Sequence, residues 1–182
     1  MKKNYSGFTL LLISAIVFFI TCQSPLSKQV KKESDNVWIE ELTITQIQQG
    51  YKEHKFTIKE VVNIYLTRIR EIDKNGPQLN SIIEINPDAI QIAEELDREL
   101  AAGKSRGPMH GVPVILKDNI DTHDKMPTTA GATALRNSFP KTDSYVAKKL
   151  RDAGAIIIAK SNLSEWANFR AMMASKEKRL VC

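Results

Sequence analysis

GPMHGVPVILKDNI, residues 107–120, holds a short apolar run that ends on a lysine. Val112, Val114, Ile115 and Leu116 read as a buried strand, opened by two glycines and two prolines. Lys117 stands at its C-terminal end, and Asp118-Asn119 are turn residues. In open α/β sheets ligands collect at the ends of strands. A lysine desolvated there can lose much of its preference for the charged form, since burial shifts a lysine pKa by up to roughly 3–5 units, and it can then serve as a base. The competing reading is the ordinary one, in which the ammonium snorkels to solvent along its own alkyl stem.

Working outward, Ala155 to Ala159 repeats the pattern: an apolar strand that delivers a second lysine, Lys160. Residue types alone do not rank the two lysines. Between them Asp143 is expected to cap a helix with Val146, Ala147 and Leu150 on one face, ended by Gly154. After Lys160, Asn162 with Glu165 three residues on fits a further helix start.

Upstream, Thr45 is a candidate cap for a short helix ending at Gly50, and Thr57-Ile-Lys-Glu60 is a capping-box pattern. The box opens a helix whose Val61, Val62, Tyr65, Leu66, Ile69 and Ile72 recur on one face, stopped by Asn75-Gly76-Pro77. Ile82, Ile83 and Ile85 make a strand, and Asn86-Pro87 starts a helix with proline first, carrying Ile90, Ala93, Leu96 and Leu100 to about Gly103. Alternating helices and strands imply an α/β layer fold, a mixed sheet covered by helices, of which this stretch supplies only part. Its last strand is expected to expose an edge and an apolar face, with poor stability and aggregation as the consequence.

Several alternatives fall away. Gly103-Lys104-Ser105 is not a phosphate loop, because the pattern needs glycine where Arg98 stands and the segment leaves a helix. Asp118, Asp121, His123 and Asp124 match no metal-ligand spacing and read as a solvated turn, so no metal is assigned. His54 and His110 are isolated, with surface or satisfied-core roles. Ser161, Ser164 and Ser175 sit in no glycine-rich elbow and are not nominated as nucleophiles. The formal net charge is +5, of which Lys2 and Lys3 supply two, too little for a nucleic-acid footprint.

The N-terminus reads as an export signal. Met1-Lys2-Lys3 precedes an apolar run from Phe8 to Ile20 that is short for a membrane span. Phe19-Ile20-Thr21-Cys22 is a loose lipobox, so residues 1–21 are expected to be a lipoprotein-type signal peptide and Cys22 the lipidated residue. Ordinary cleavage or an uncleaved anchor is the alternative. Residues 22–36 are polar and charged without an apolar period, a flexible tether. The expected location is outside the cytoplasm, on a membrane face.

GPMHGVPVILKDNI, followed by MPTTAGATAL from Met126 and DAGAIIIAKSNLSEWANF from Asp152, resembles the amidase signature family of serine hydrolases. The resemblance runs from about Leu42 to Phe169 and is strongest from Gly107 onward. It implies amide hydrolysis by a serine nucleophile, a second serine with a cis peptide bond, and the lysine of the KDN block, Lys117. Thr128-Thr129-Ala130-Gly131 falls where the family lines its cleft, so Thr129 and Gly131 are implied substrate-side residues, and Lys160 a structural partner. No cofactor is implied, the partner is a small-molecule or peptide amide, and export argues against the aminoacyl-tRNA amidotransferase branch.

The resemblance covers residues 37–170 as the N-terminal part of an amidase domain. The family's glycine- and serine-rich run, with both serines and the oxyanion loop, lies beyond SNLSEWANF. Residues 171–182 match nothing in the family, and the expectation is a frameshifted or truncated member, with a native C-terminus as the alternative reading. This chain is expected to be inactive alone. The function of another class that the sequence allows is a noncatalytic exported lipoprotein module, either a binding protein or a partner that completes another chain, or else a remnant.

Overall fold

The computed structural model describes residues 37–168, so the expected signal peptide (1–21), Cys22, the expected tether (22–36) and the 171–182 tail lie outside the described residues. Val37–Ile39 form one 3-10 turn, and at Glu41 a separate compact unit begins, which holds everything that follows.

Helix α1 is Ile44–Lys52, and its cap is Thr43 and not Thr45. The reason is the box: the Thr43 hydroxyl accepts from the Gln46 N–H at 3.2 Å while the Gln46 side chain accepts from the Thr43 N–H at 2.8 Å. Thr45 already lies inside the helix, and Gln48, three residues on, donates its side-chain amide to the His110 carbonyl at 2.7 Å. Helix α2, Ile58–Arg68, opens with the expected Thr57/Glu60 box. Helix α3, Ala89–Ala101, adds a second lock, because its Asp97 carboxylate accepts from the backbone N–H groups of Ile58 (2.8 Å) and Lys59 (3.0 Å). Donors that the first turn of a helix leaves unpaired are thus satisfied from two directions. Ile58, Val61 and Val62 are fully buried on the packed face. The helix continues as a π-helical turn, Ile69–Lys74, before the expected stop.

Strands β1 (Ile82–Ile85), β2 (Pro113–Lys117) and β3 (Ile156–Ser161) form one sheet in the order β1-β3-β2. The pair β2/β3 is parallel and β1/β3 antiparallel, the mixed sheet that the helix–strand alternation calls for. Strand β3 is central and not the exposed edge expected of the last strand, because β1 and β2 pair with it on either side; Ile156 to Lys160 are all buried, which explains why its apolar run does not alternate. Helix α4, Tyr145–Asp152, covers it through Ala147, which joins Leu116, Met126 and Ile157 in one cluster with Ile120 and Leu150 against it.

Three local expectations are corrected. Ser144, not Asp143, caps α4, accepting from the Ala147 N–H at 3.3 Å; Asp143 instead accepts from the His123 N–H (2.7 Å) and from Arg151 Nε (3.1 Å). Pro87 is not the first residue of α3, because Asn86 spends its amide on the Ile157 carbonyl (2.8 Å) and its oxygen on the Asp88 N–H (3.0 Å), holding 86–88 in a turn. Asn162 caps no helix: its backbone N–H donates to Ser81 O (2.7 Å) and its side chain to Asn80 O (3.1 Å). The 3-10 segment Glu165–Asn168 that follows has left-handed Trp166 and Ala167 inside it.

The turn before β2 depends on two glycines. A Cβ on Gly111 (φ 76°) would lie 2.6 Å from the Ile58 side chain, and one on Gly154 (φ 89°) 2.8 Å from His110 Cα. His110 is a satisfied-core histidine: Nδ1 accepts from the Arg106 N–H at 3.2 Å, so the proton sits on Nε2, 3.1 Å from the Leu96 carbonyl. Among the described residues no helix is long and apolar enough to cross a membrane.

Candidate active site

The site is built where β2 and β3 end side by side. Their register pairs Leu116 with Lys160 and Lys117 with Ser161. Paired residues share a face and successive residues alternate. Leu116 and Lys160 therefore face one way and Lys117 and Ser161 the other. Leu116 is buried in the α4 cluster, whereas Lys117 and its face neighbour Ile115 are exposed. Among the described residues no hydrogen bond or ion pair engages the Lys117 ammonium.

Lys160 is wholly buried. Its ammonium donates to the Ile120 carbonyl at 2.7 Å and to Thr128 Oγ1 at 3.0 Å. Burial pushes it below the ordinary lysine range, while the negative charges of Asp118, Asp124 and Asp121 pull the other way. Glu84, opposite Lys160 on β1, is held above the ordinary carboxyl range by burial and by the charge of Asp118.

The turn after β2 is closed by the Ile120 N–H donating to Lys117 O at 3.0 Å. Asp118 inside it is fully buried, contrary to the solvated turn expected of this cluster; Asp121 and His123 are the exposed members. Every polar group of Asp118 is engaged. Its N–H donates to Ser161 O (3.1 Å), its carbonyl accepts from the Ala130 N–H (2.9 Å), and its carboxylate accepts from the Thr129 N–H (3.3 Å) and the Thr129 hydroxyl. Thr129 Oγ1 in turn accepts from the Gly131 N–H at 3.1 Å. Ala130 holds φ 49° and Gly131 φ 73°, consecutive left-handed residues that a non-glycine adopts only when its surroundings compel it.

The structure thus brings the Thr129–Gly131 loop against the residue next to Lys117, with Thr129 buried and its hydroxyl committed to Asp118. Sequence reasoning missed Asp118 and Thr128. A lone aspartate in a turn is ordinarily exposed, and the only signal for its burial was the pair of threonines ten residues on. Among the described residues no three His, Cys, Asp or Glu side chains converge as metal ligands. Chemically, the arrangement offers one accessible amine at a strand end, braced from behind by a buried polar network.

The family model described as Amidase matches residues 60–175. A putative amidase of Schizosaccharomyces pombe is 45% identical over 136 residues, 75% of this chain and 23% of its own length. The native peptide amidase of Stenotrophomonas maltophilia superposes with a TM-score of 0.70 at 44% identity, covering 72% of this chain and 26% of that one. An amidase family protein of Bacillus anthracis gives a TM-score of 0.72 at 35% identity over 78% of this chain and 28% of its own. The chain therefore spans about a quarter of the length of the relatives it matches.

Proposed function

The chain belongs to the amidase family, and from that premise we propose that it contributes Lys117 as the base of a serine–serine–lysine relay that hydrolyses a carbon–nitrogen amide bond. Lys117 accepts, through a bridging serine, the proton of a nucleophilic serine, which attacks the amide carbonyl. The same relay returns the proton to the leaving amine, and water then releases the acyl group. Backbone N–H groups of a glycine-rich loop stabilise the oxyanion. Both serines and that loop belong to the family's downstream glycine- and serine-rich run.

The observation that carries this reading is the contrast between the two strand-end lysines. Lys117 is accessible and, among the described residues, uncommitted, as a base that must meet a serine has to be. Lys160 has its ammonium enclosed and donating to two oxygens. Neither Ser161 nor Ser164 sits in a glycine-rich turn, which supports the reading that this chain alone hydrolyses nothing. The substrate class is a small or peptide amide; a peptide amidase is among the proteins whose fold it shares.

The test joins this chain to the downstream portion of a family member and measures hydrolysis of a C-terminally amidated peptide. Lys117→Ala should lower turnover by about 10²–10⁴-fold with the fold intact. Retained turnover would remove Lys117 from the relay, and turnover by the unjoined chain would refute its inactivity. We also hold to export and to lipidation at Cys22, which metabolic labelling with a radioactive fatty acid checks: label that survives Cys22→Ala argues against it.

A further inference from the structure

A buried carboxylate and a buried ammonium flank the turn that carries Lys117, and the relay uses neither. Taking such groups out of water is costly, so their retention calls for a reason. They are not a direct ion pair, since the Lys160 ammonium bonds to a carbonyl and a hydroxyl and the Asp118 carboxylate to an N–H and a hydroxyl of Thr129. What they share is the segment they grip. Asp118 holds its first half to the 128–131 loop, and Lys160 holds its last residue, Ile120, to the same loop through Thr128.

We propose that Asp118 is a positioning residue for Lys117, acting through a clasp on Thr129 that Lys160 closes from the far side. The direction in which Lys117 leaves β2 is set by the turn that begins at its own carbonyl, and that turn is bonded to three separate places. They are Ser161 on β3, Ala130 and Thr129 in the loop, and the Lys160 ammonium. Left-handed Ala130 shows that the loop is pulled to this geometry against its own preference. A side chain fixed to a small tolerance is what proton relay demands, because misplacement by about 1 Å can cost 10²-fold in rate. Thr129, on this account, serves the base through its hydroxyl and does not present that hydroxyl to substrate. The inference rests on the reading of Lys117 as the base.

The test uses the full chain with its lysines ¹³C-methylated, the Lys117 resonance being assigned with Lys117→Arg, and hydrogen exchange followed at the Thr129 and Gly131 amides. Asp118→Asn should raise exchange at both amides at least tenfold and move the Lys117 resonance, with the amides of α2 unchanged. Thr129→Val changes no charge, so a moved Lys117 resonance there reports geometry, and Thr129→Ser, which keeps the hydroxyl, should restore the original position. Where Asp118→Asn does not fold, the Val/Ser pair decides alone. A Lys117 resonance identical in the wild type, Thr129→Val and Thr129→Ser overturns the proposal. Turnover does not enter these readouts, so the base assignment, which Lys117→Ala tests in the joined enzyme, can fail without them and they without it.

Discussion

Lys117 and Lys160 end neighbouring parallel strands, each after a run of apolar residues, and they have opposite fates. One is exposed with its ammonium uncommitted among the described residues; the other is sealed in and bonded to Ile120 and Thr128. The cause is the register. Lys160 lies opposite Leu116 and Lys117 opposite Ser161, so an offset of one residue puts them on opposite faces. The comparison teaches that strand-end position by itself does not tell an enclosed lysine from one whose amine can be reached.

The largest effect should separate the two by activity. In the joined enzyme Lys117→Ala should lower kcat/KM by about 10²–10⁴-fold, the range for losing a general base, while shifting unfolding free energy by no more than about 0.5 kcal/mol. A variant that kept most of its kcat/KM would break the comparison at once. Lys160→Ala should do the reverse for stability: it leaves Ile120 O and Thr128 Oγ1 without their donor and opens a cavity, a loss of about 3 kcal/mol by urea denaturation. Equal midpoints for the two lysine variants would mean that burial of Lys160 carries no weight.

A second pair sharpens the argument on neighbouring residues of β2. Leu116→Lys forces a charge into the Met126–Ala147–Ile157 cluster and should cost about 2–3 kcal/mol, whereas Ile115→Lys, at a position 42% exposed, should cost under about 1 kcal/mol. Thermal melts that ranked them the other way would show the faces assigned in reverse. The smallest effect is on pH dependence. Lys160 has a folded pKa depressed from the ordinary 10.5 by burial, so between the folded value and 10.5 the unfolded chain holds more protons. Stability should therefore rise with pH through that window and level off above it, and Lys160→Met should flatten the rise.

Much of the frame was legible. The Thr57/Glu60 box, the strands at 82–85 and 113–117 and the mixed sheet stand where local patterns put them, but the strand expected to be buried, 113–117, is a sheet edge with only Leu116 buried. Local patterns failed where a polar side chain was captured by a distant segment. Asn162 was taken by Ser81 and Asn80, and Asp143 by His123 and Arg151, leaving Ser144 to cap α4. Asp118 was the largest miss, because a turn aspartate is solvated unless something remote encloses it, and here that is the Thr129 loop.

Sequence by itself determined the elements, since caps, apolar periods and turn residues act within a few positions, and it determined the family through blocks of residues in order. Only tertiary structure decided which lysine is open and which is enclosed. Burial belongs to the surroundings and not to the residue, and the pairing of β2 with β3 joins positions more than forty residues apart. One step of that register would place Lys117 opposite Lys160, on the same face, because side chains along a strand alternate with a period of two.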